Sequence, residues 1–248
     1  MTRITKAPIK TAMVLAAGHG TRMRPLTNDR AKAMVEVGGK PLIDHMLDRL
    51  AEAGITRAVV NVHAHAHHLE AHLNARTTGP EIIISDERDE LLETGGGMVK
   101  ALPLLGDDPV LACNIDAIWQ EDDAPIIKGL LERWDSDIMD DLLLIAPMER
   151  TLGYHGKGDF LFGHDGRLER RGERERAPYV YAGVQITKLD RLAKEPIEPF
   201  SRNRIWNQTL EAGTIYGHPL SGFWMHVGDP QARDEAEARL RAENTQTR

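Results

Sequence analysis

Apolar residues follow two rhythms along this chain, and the switch between them is the first structural signal. Short unbroken runs fall at residues 11–17 (TAMVLAA), 57–62 (RAVVNV), 81–85 (EIIIS), 109–114 (PVLACN) and 142–146 (LLLIA). Such runs read as strands buried on both faces. Between them, apolar positions recur at three- and four-residue spacings. Leu42, Ile43, Met46, Leu47 and Leu50 predict a helix over residues 41–53, with Pro41 in its first turn and Gly54 as its stop. Shorter helices are predicted over residues 69–73, 98–105 and 125–134. Strand and helix alternate through roughly residues 11–150, which predicts right-handed crossovers. The expected class is α/β, a Rossmann-like, mostly parallel sheet flanked by helices.

After Pro147 the rhythm changes. A hairpin is expected over residues 159–170 around His164-Asp165-Gly166, then a strand over 179–186 and a helix over 205–212. A charged helix is expected over about the last fifteen residues. Residues 151–248 thus read as a smaller α+β portion laid against the sheet. No repeat or low-complexity linker divides the chain, so residues 1–248 read as one domain.

Composition narrows the setting. The chain has 248 residues, 41% of them hydrophobic, enough for a sizeable core. No apolar stretch approaches the ~20 residues of a membrane span, and the first ten residues (MTRITKAPIK) lack the apolar core of a secretory leader. Cys113 is the only cysteine, which excludes an internal disulfide and fits a cytoplasmic protein. A formal net charge of -7 argues against a general nucleic-acid binder, yet local cations can still gather a small anion.

The most informative segment is LAAGHGTRMRPL, residues 15–26. A buried strand (Leu15, Ala16, Ala17) empties into Gly18-His19-Gly20, where glycines let backbone N–H groups approach an anion. Thr21 adds a hydroxyl, and Arg22 and Arg24 add guanidinium forks suited to phosphate. Ligands of open α/β sheets sit beyond the carboxyl ends of strands, which is where this turn lies. Its spacing matches neither the Walker nor the dinucleotide glycine pattern. Taken alone, the Gly-x-Gly pair reads better as a tight turn with solvent-facing arginines, because such pairs are common.

LAAGHGTRMRPLT, followed by Lys32 and VGGKPLI, resembles the signature of the sugar-phosphate nucleotidyltransferase family. That resemblance implies the glycosyltransferase-A-like nucleotidyltransferase fold. The implied reaction joins a sugar-1-phosphate to a nucleoside triphosphate, with release of pyrophosphate. It places the triphosphate on Leu15, Ala16, Ala17, Gly18, Gly20, Thr21 and Arg22, with Arg22 and Lys32 on the reacting phosphates. Where the family has Pro-Lys-Pro, this chain has Ala31-Lys32-Ala33, which frees two φ angles.

Asp116 ends the Asn114-Ile115-Asp116 stretch after a strand, and by resemblance it is the catalytic metal ligand, for Mg²⁺ or for Mn²⁺ in its place. Trp224-Met-His-Val-Gly228 resembles the segment that completes the metal site, with His226 where the family has Asp. Three roles are open to His226: ligand to a softer metal, hydrogen-bond partner of phosphate or metal-bound water, or bystander to Asp116 and waters. Glu93, Thr94, Gly95 and Gly96 resemble a loop that meets the nucleobase. Asn114, Gly158, Asp159, Tyr181, Gly183, Asn203 and Trp206 match segments that border the sugar phosphate.

The narrower resemblance is to bacterial N-acetylmuramate-1-phosphate uridylyltransferases. It makes UTP the favoured nucleotide, with mannose-1-phosphate guanylyltransferase and glucose-1-phosphate nucleotidyltransferase as alternatives. The chain ends soon after the last matched motif, so a monomer or simple homodimer is expected. A catalytically silent nucleotide-sugar sensor is the rival of another class. The cluster of His63, His65, His67, His68 and His72 suggests a metal-storing protein less well, since no Glu or Cys stands in register with it.

Overall fold

The computed structural model describes residues 8–106 and 109–246, so most of the ten-residue stretch weighed as a leader lies outside it. Fourteen strands and six α-helices follow one another along the described residues. The first half holds β1 (Thr11–Leu15), β2 (Glu36–Val37), β3 (Lys40–Pro41), α1 (Leu42–Glu52), β4 (Arg57–Val62), α2 (Ala66–Asn74), β5 (Glu81–Asp86) and α3 (Glu93–Leu105). Then come β6 (Val110–Asn114), β7 (Ala117–Glu121), α4 (Ile126–Arg133), β8 (Asp141–Pro147) and β9 (Thr151–Leu152). The rest comprises β10 (Phe160–Phe162), β11 (Leu168–Arg170), β12 (Tyr179–Thr187), α5 (Asn203–Glu211), β13 (Ile215–Pro219), β14 (Gly222–His226) and α6 (Pro230–Gln246).

One mixed sheet organises these elements, in the order β11-β10-β12-β6-β1-β4-β5, with β8 also on β12 and β13 on β8. Its β6-β1-β4-β5 run is parallel. β12 joins it antiparallel to β6 and carries the hairpin of β10 and β11. The continuous apolar runs mean what they were read to mean. In β1, Ala12 and Val14 pack on the side of α1, while Met13 packs with Met98 and Leu105 of α3 on the other. Every second residue faces an opposite layer, so neither face tolerates a polar alternation. Cys113 lies within β6, paired with Val14 and Val184 and fully buried, and burial pushes its thiol pKa up.

Some boundaries differ from the sequence reading. Helix α1 buries all five expected residues, but Pro41 caps it from outside and belongs to β3. Helix α3 begins at Glu93, five residues earlier than expected, so Gly95, Gly96 and Gly97 lie inside it. A second sheet, β7-β14-β9, had no counterpart in the reading. It pairs His226 with Ala117, and the Val227 N–H donates to Asp116 O at 2.9 Å. That pairing brings two segments more than a hundred residues apart to one point. Among the described residues no helix is long and apolar enough to cross a membrane.

Candidate active site

Beyond the carboxyl end of β1 the chain turns through Gly18-His19-Gly20 into a single 3₁₀ turn at Thr21–Met23. Gly20 has φ 63°, and a Cβ there would lie 3.0 Å from Lys32 Cβ and 3.1 Å from Thr27 Cγ2. A glycine is therefore required twice, by the backbone and by the close approach of the next segment. Thr27 locks the turn by donating its hydroxyl to Gly20 O at 2.8 Å. That next segment carries Lys32 at the head of a second 3₁₀ turn.

The alanines beside Lys32 do not loosen it. Ala31 and Ala33 are buried, and Ala31 sits at φ -63°, ψ 146°, the value proline would impose. Ala31→Pro should raise stability by about 0.4–1 kcal/mol by restricting the unfolded chain alone. A urea-melt midpoint at or below that of the unmodified protein would show instead that the loop is strained.

Lys32 Nζ donates to Asp116 Oδ2 at 2.7 Å, with both side chains largely buried. Burial pushes the Asp116 carboxyl up, but the Lys32 ammonium, His226 and a backbone N–H together outweigh it and hold the group below its usual value. His226 Nδ1 lies 3.9 Å from the same Oδ2. Burial leads the lowering of the His226 pKa, and Lys32 and Arg22 add to it against Asp116, so the imidazole is neutral at pH 7. Gly228 leaves room for that ring, since a Cβ there would come within 2.7 Å of His226 Nε2.

A cleft of ≈ 460 Å³ opens over this pair. Its wall contains Leu15, Ala16, Ala17, Gly18, Gly20, Thr21, Arg22, Lys32, Glu93, Thr94, Asn114 and Asp116. The predicted nucleotide residues are thus brought together, with two exceptions. Gly95 and Gly96 lie beneath the chain at Glu198–Phe200, and their N–H groups go to Phe200 O at 2.8 and 3.3 Å. A Cβ on Gly96 would stand 2.0 Å from Glu198 O, so these glycines serve close packing behind the cleft.

A second cavity, ≈ 210 Å³, shares Asn114 and Asp116 with the first. It is bordered by Asp159, Tyr181, Gly183, Asn203, Trp206 and His226, six more of the residues singled out in the sequence. Gly183, at φ 83°, carries the irregularity of β12 between Tyr181 and Gln185 and lets that strand pass against Ala117 and Asn114. Asp159 is already engaged, accepting from the Tyr181 N–H at 3.0 Å and the Tyr154 hydroxyl at 3.3 Å. Trp206 gives its indole N–H to Gln185 at 3.1 Å and offers the cavity its ring. Gly158 stands behind this wall, where a Cβ would meet Ala177 O at 2.2 Å.

Sequence reasoning missed Asn61 and Arg170. Asn61 Oδ1 accepts from the N–H groups of Ala16 and Ala17 at 2.7 and 3.3 Å, fixing the start of the turn. Its Nδ2 donates to the buried Glu87, which in turn accepts from Leu92 N–H ahead of α3. The signal was available: Asn61 is the lone polar residue inside the apolar core of RAVVNV. Three of the five clustered histidines bond to groups outside the cluster, and His65 and His67 lie against the His68 ring. His63 meets Glu87 O, His68 meets Asp29 O, and His72 meets the Asp44 carboxylate. Among the described residues no group of three or more His, Cys, Asp or Glu is arranged to hold a metal.

A family model described as nucleotidyl transferase matches residues 11–139. The chain is 51% identical over 240 residues to an N-acetylmuramate alpha-1-phosphate uridylyltransferase of Caulobacter vibrioides, covering 96% of this chain and 99% of that one. It is 45% identical over 238 residues to a protein of the same name from Neisseria meningitidis, covering 92% and 96%. The structure of UDP-glucose pyrophosphorylase complexed with UDP-glucose has the same fold, with a TM-score of 0.79, 18% identity and coverage of 95% and 99%. The resemblance carried by the turn after β1 and by Lys32 is borne out, and this chain belongs to the nucleotidyl transferase family.

Proposed function

We propose that the protein joins UTP to N-acetylmuramic acid 1-phosphate in the cytoplasm, yielding UDP-N-acetylmuramate and pyrophosphate in the reuse of cell-wall sugars. The observation that carries this reading is that Asn114 and Asp116 belong to both cavities, so two phosphate-bearing substrates would meet there. The 51% identical relative, matched over nearly its whole length, supports the choice of UTP and this sugar.

The reaction is an in-line displacement. An oxygen of the sugar phosphate forms a bond to the α-phosphorus, the α–β phosphoanhydride bond breaks, and pyrophosphate leaves. The nucleophile is a phosphate monoester with a second pKa near ~6, largely dianionic at neutral pH, and needs no general base. The obstacle is the repulsion of anions. Arg22 and the turn after β1 would hold the triphosphate, while Lys32 would neutralise charge on the reacting phosphates. His226, neutral, would serve as a hydrogen-bond partner at the same point.

The donor set at Asp116 suits Mg²⁺, or Mn²⁺ in its place, because such ions accept one protein carboxylate together with phosphate oxygens and waters. Asp116 would hold the ion, with His226 beside it, and the ion when bound supplies charge neutralisation at the transferring phosphoryl group. Pyrophosphate release across five nucleoside triphosphates, each with N-acetylmuramate, mannose or glucose 1-phosphate, tests the reading. Turnover confined to UTP with N-acetylmuramate 1-phosphate is expected. Turnover confined to GTP with mannose 1-phosphate would replace it, and nucleotide binding with no turnover would leave a sensor.

A further inference from the structure

Arg170 closes β11 with its guanidinium folded inward over aromatic rings, 4.9 Å from the centre of Phe160 and 5.5 Å from that of Trp206. Its Nη2 donates to Asn203 Oδ1 at 2.6 Å and Asn207 Oδ1 at 3.3 Å, two amides one turn apart on α5. Both acceptors are uncharged, and Nε and Nη1 make no hydrogen bond to a described residue. Asp159 is the carboxylate whose field Arg170 feels, yet its oxygens are engaged by Tyr181 and Tyr154. Burial draws the Arg170 pKa down and outweighs the upward pull of Asp159, which stands near the guanidinium without pairing with it.

This guanidinium borders the ≈ 210 Å³ sugar-side cavity and is the one arginine or lysine on its wall among the described residues. Arg202, which borders the neighbouring cavity, is ion-paired with Asp141 at 2.7 Å, and Lys32 is paired with Asp116. A half-desolvated cation held in place by neutral amides, with two donor nitrogens to spare, is built to receive an anion.

The proposed sugar supplies one. N-acetylmuramic acid is N-acetylglucosamine bearing a lactic acid ether, so a carboxylate is what separates the two sugars. We propose that Arg170, braced by Asn203 and Asn207, binds that lactyl carboxylate and sets the preference for the muramyl sugar. The inference rests on the substrate reading above. The sugar phosphate is the other anion available, but Lys32, on the wall of the first cleft, stands at Asp116 where the phosphates would meet, whereas Arg170 is absent from that wall and is held on Asn203 and Asn207.

The test is a comparison of kcat/KM for N-acetylmuramate 1-phosphate and N-acetylglucosamine 1-phosphate, with UTP, in the unmodified protein, Arg170→Gln and Arg170→Lys. In Arg170→Gln the muramyl value should fall on the order of 10–100-fold, chiefly through KM, the glucosamine value should fall much less, and the preference should collapse. Arg170→Lys should keep part of it. The unmodified protein should lose a similar factor when the lactyl group is presented as its neutral amide. That arm decides the matter even if the glutamine variant fails to fold. Equal loss on both sugars would assign Arg170 to the phosphate or to packing and overturn the proposal, as would indifference to the lactyl amide. Absence of muramyl turnover in the unmodified protein would instead sink the substrate reading, and this inference with it.

Discussion

Asp116→Ala is expected to lower kcat on the order of 10³-fold while leaving the fold intact. Asp116 is proposed to hold the divalent ion, and Lys32, proposed to act on the same phosphates, already rests on it at 2.7 Å. Among the described residues Asp116 is the one carboxylate on the walls of both cavities. Lys32→Met should cost on the order of 10²-fold by removing one cation from the reacting phosphates. Because the two residues serve one phosphoryl group, the double variant should lose far less than the product of the single losses. Steady-state pyrophosphate release, with circular dichroism as the check on folding, measures all three. Turnover of Asp116→Ala within tenfold of the unmodified protein would remove Asp116 from the chemistry.

The second large effect concerns stability and lies behind the site. Asp141 begins β8 fully buried, and Arg202 Nη2 pairs with its Oδ1 at 2.7 Å. Thr209 donates to Oδ2 at 2.9 Å and Gln185 to Oδ1 at 3.3 Å, while Thr187 also meets Arg202. Among the described residues Arg202 Nε and Nη1 have no hydrogen-bond partner, so Asp141 carries most of the compensation for that buried charge. Asp141→Ala leaves a guanidinium stranded in the interior, which costs about 3–5 kcal/mol. At ~2–4 °C per kcal/mol for a chain of this size, the melting temperature should drop by on the order of 10 °C. Asp141→Asn, which keeps the shape and part of the bonding, should drop less. A thermal melt of Asp141→Ala within about 3 °C of the unmodified protein would mean that water or a shifted Arg202 meets the charge. The damage should spread to the cleft over Lys32 and Asp116, because the Arg202 N–H donates to Thr94 Oγ1 at 2.9 Å.

The parallel half of the fold was legible because each of its strands is sandwiched between two apolar layers, leaving unbroken runs such as TAMVL and VVNV. The part of the cleft wall proposed to hold the triphosphate was legible because it lies within one short stretch of the chain, from Leu15 to Lys32. The second sheet was not. β7 and β14 find each other across a hundred residues, and AIWQE read alone has neither strict alternation nor a long apolar run. The start of α3 was hidden for a different reason. Three successive glycines are poor helix formers, so the local preference pointed to a loop. They stand in the helix because Phe200, Glu198 and Glu87 press within 2.0–2.6 Å of where side chains would begin. Tertiary crowding overrode propensity there. Arg170 gave no signal at all, since only the docking of β11 against α5 turns its charge inward.

Cys113, sealed in the middle of β6, makes the native chain silent toward thiol-directed reagents, because its sulfur is both inaccessible and protonated. A cysteine introduced on an outer helix would then be the sole reactive handle. A fluorophore or spin label could be attached at one chosen position without first deleting the natural thiol, and its signal followed as substrate is added.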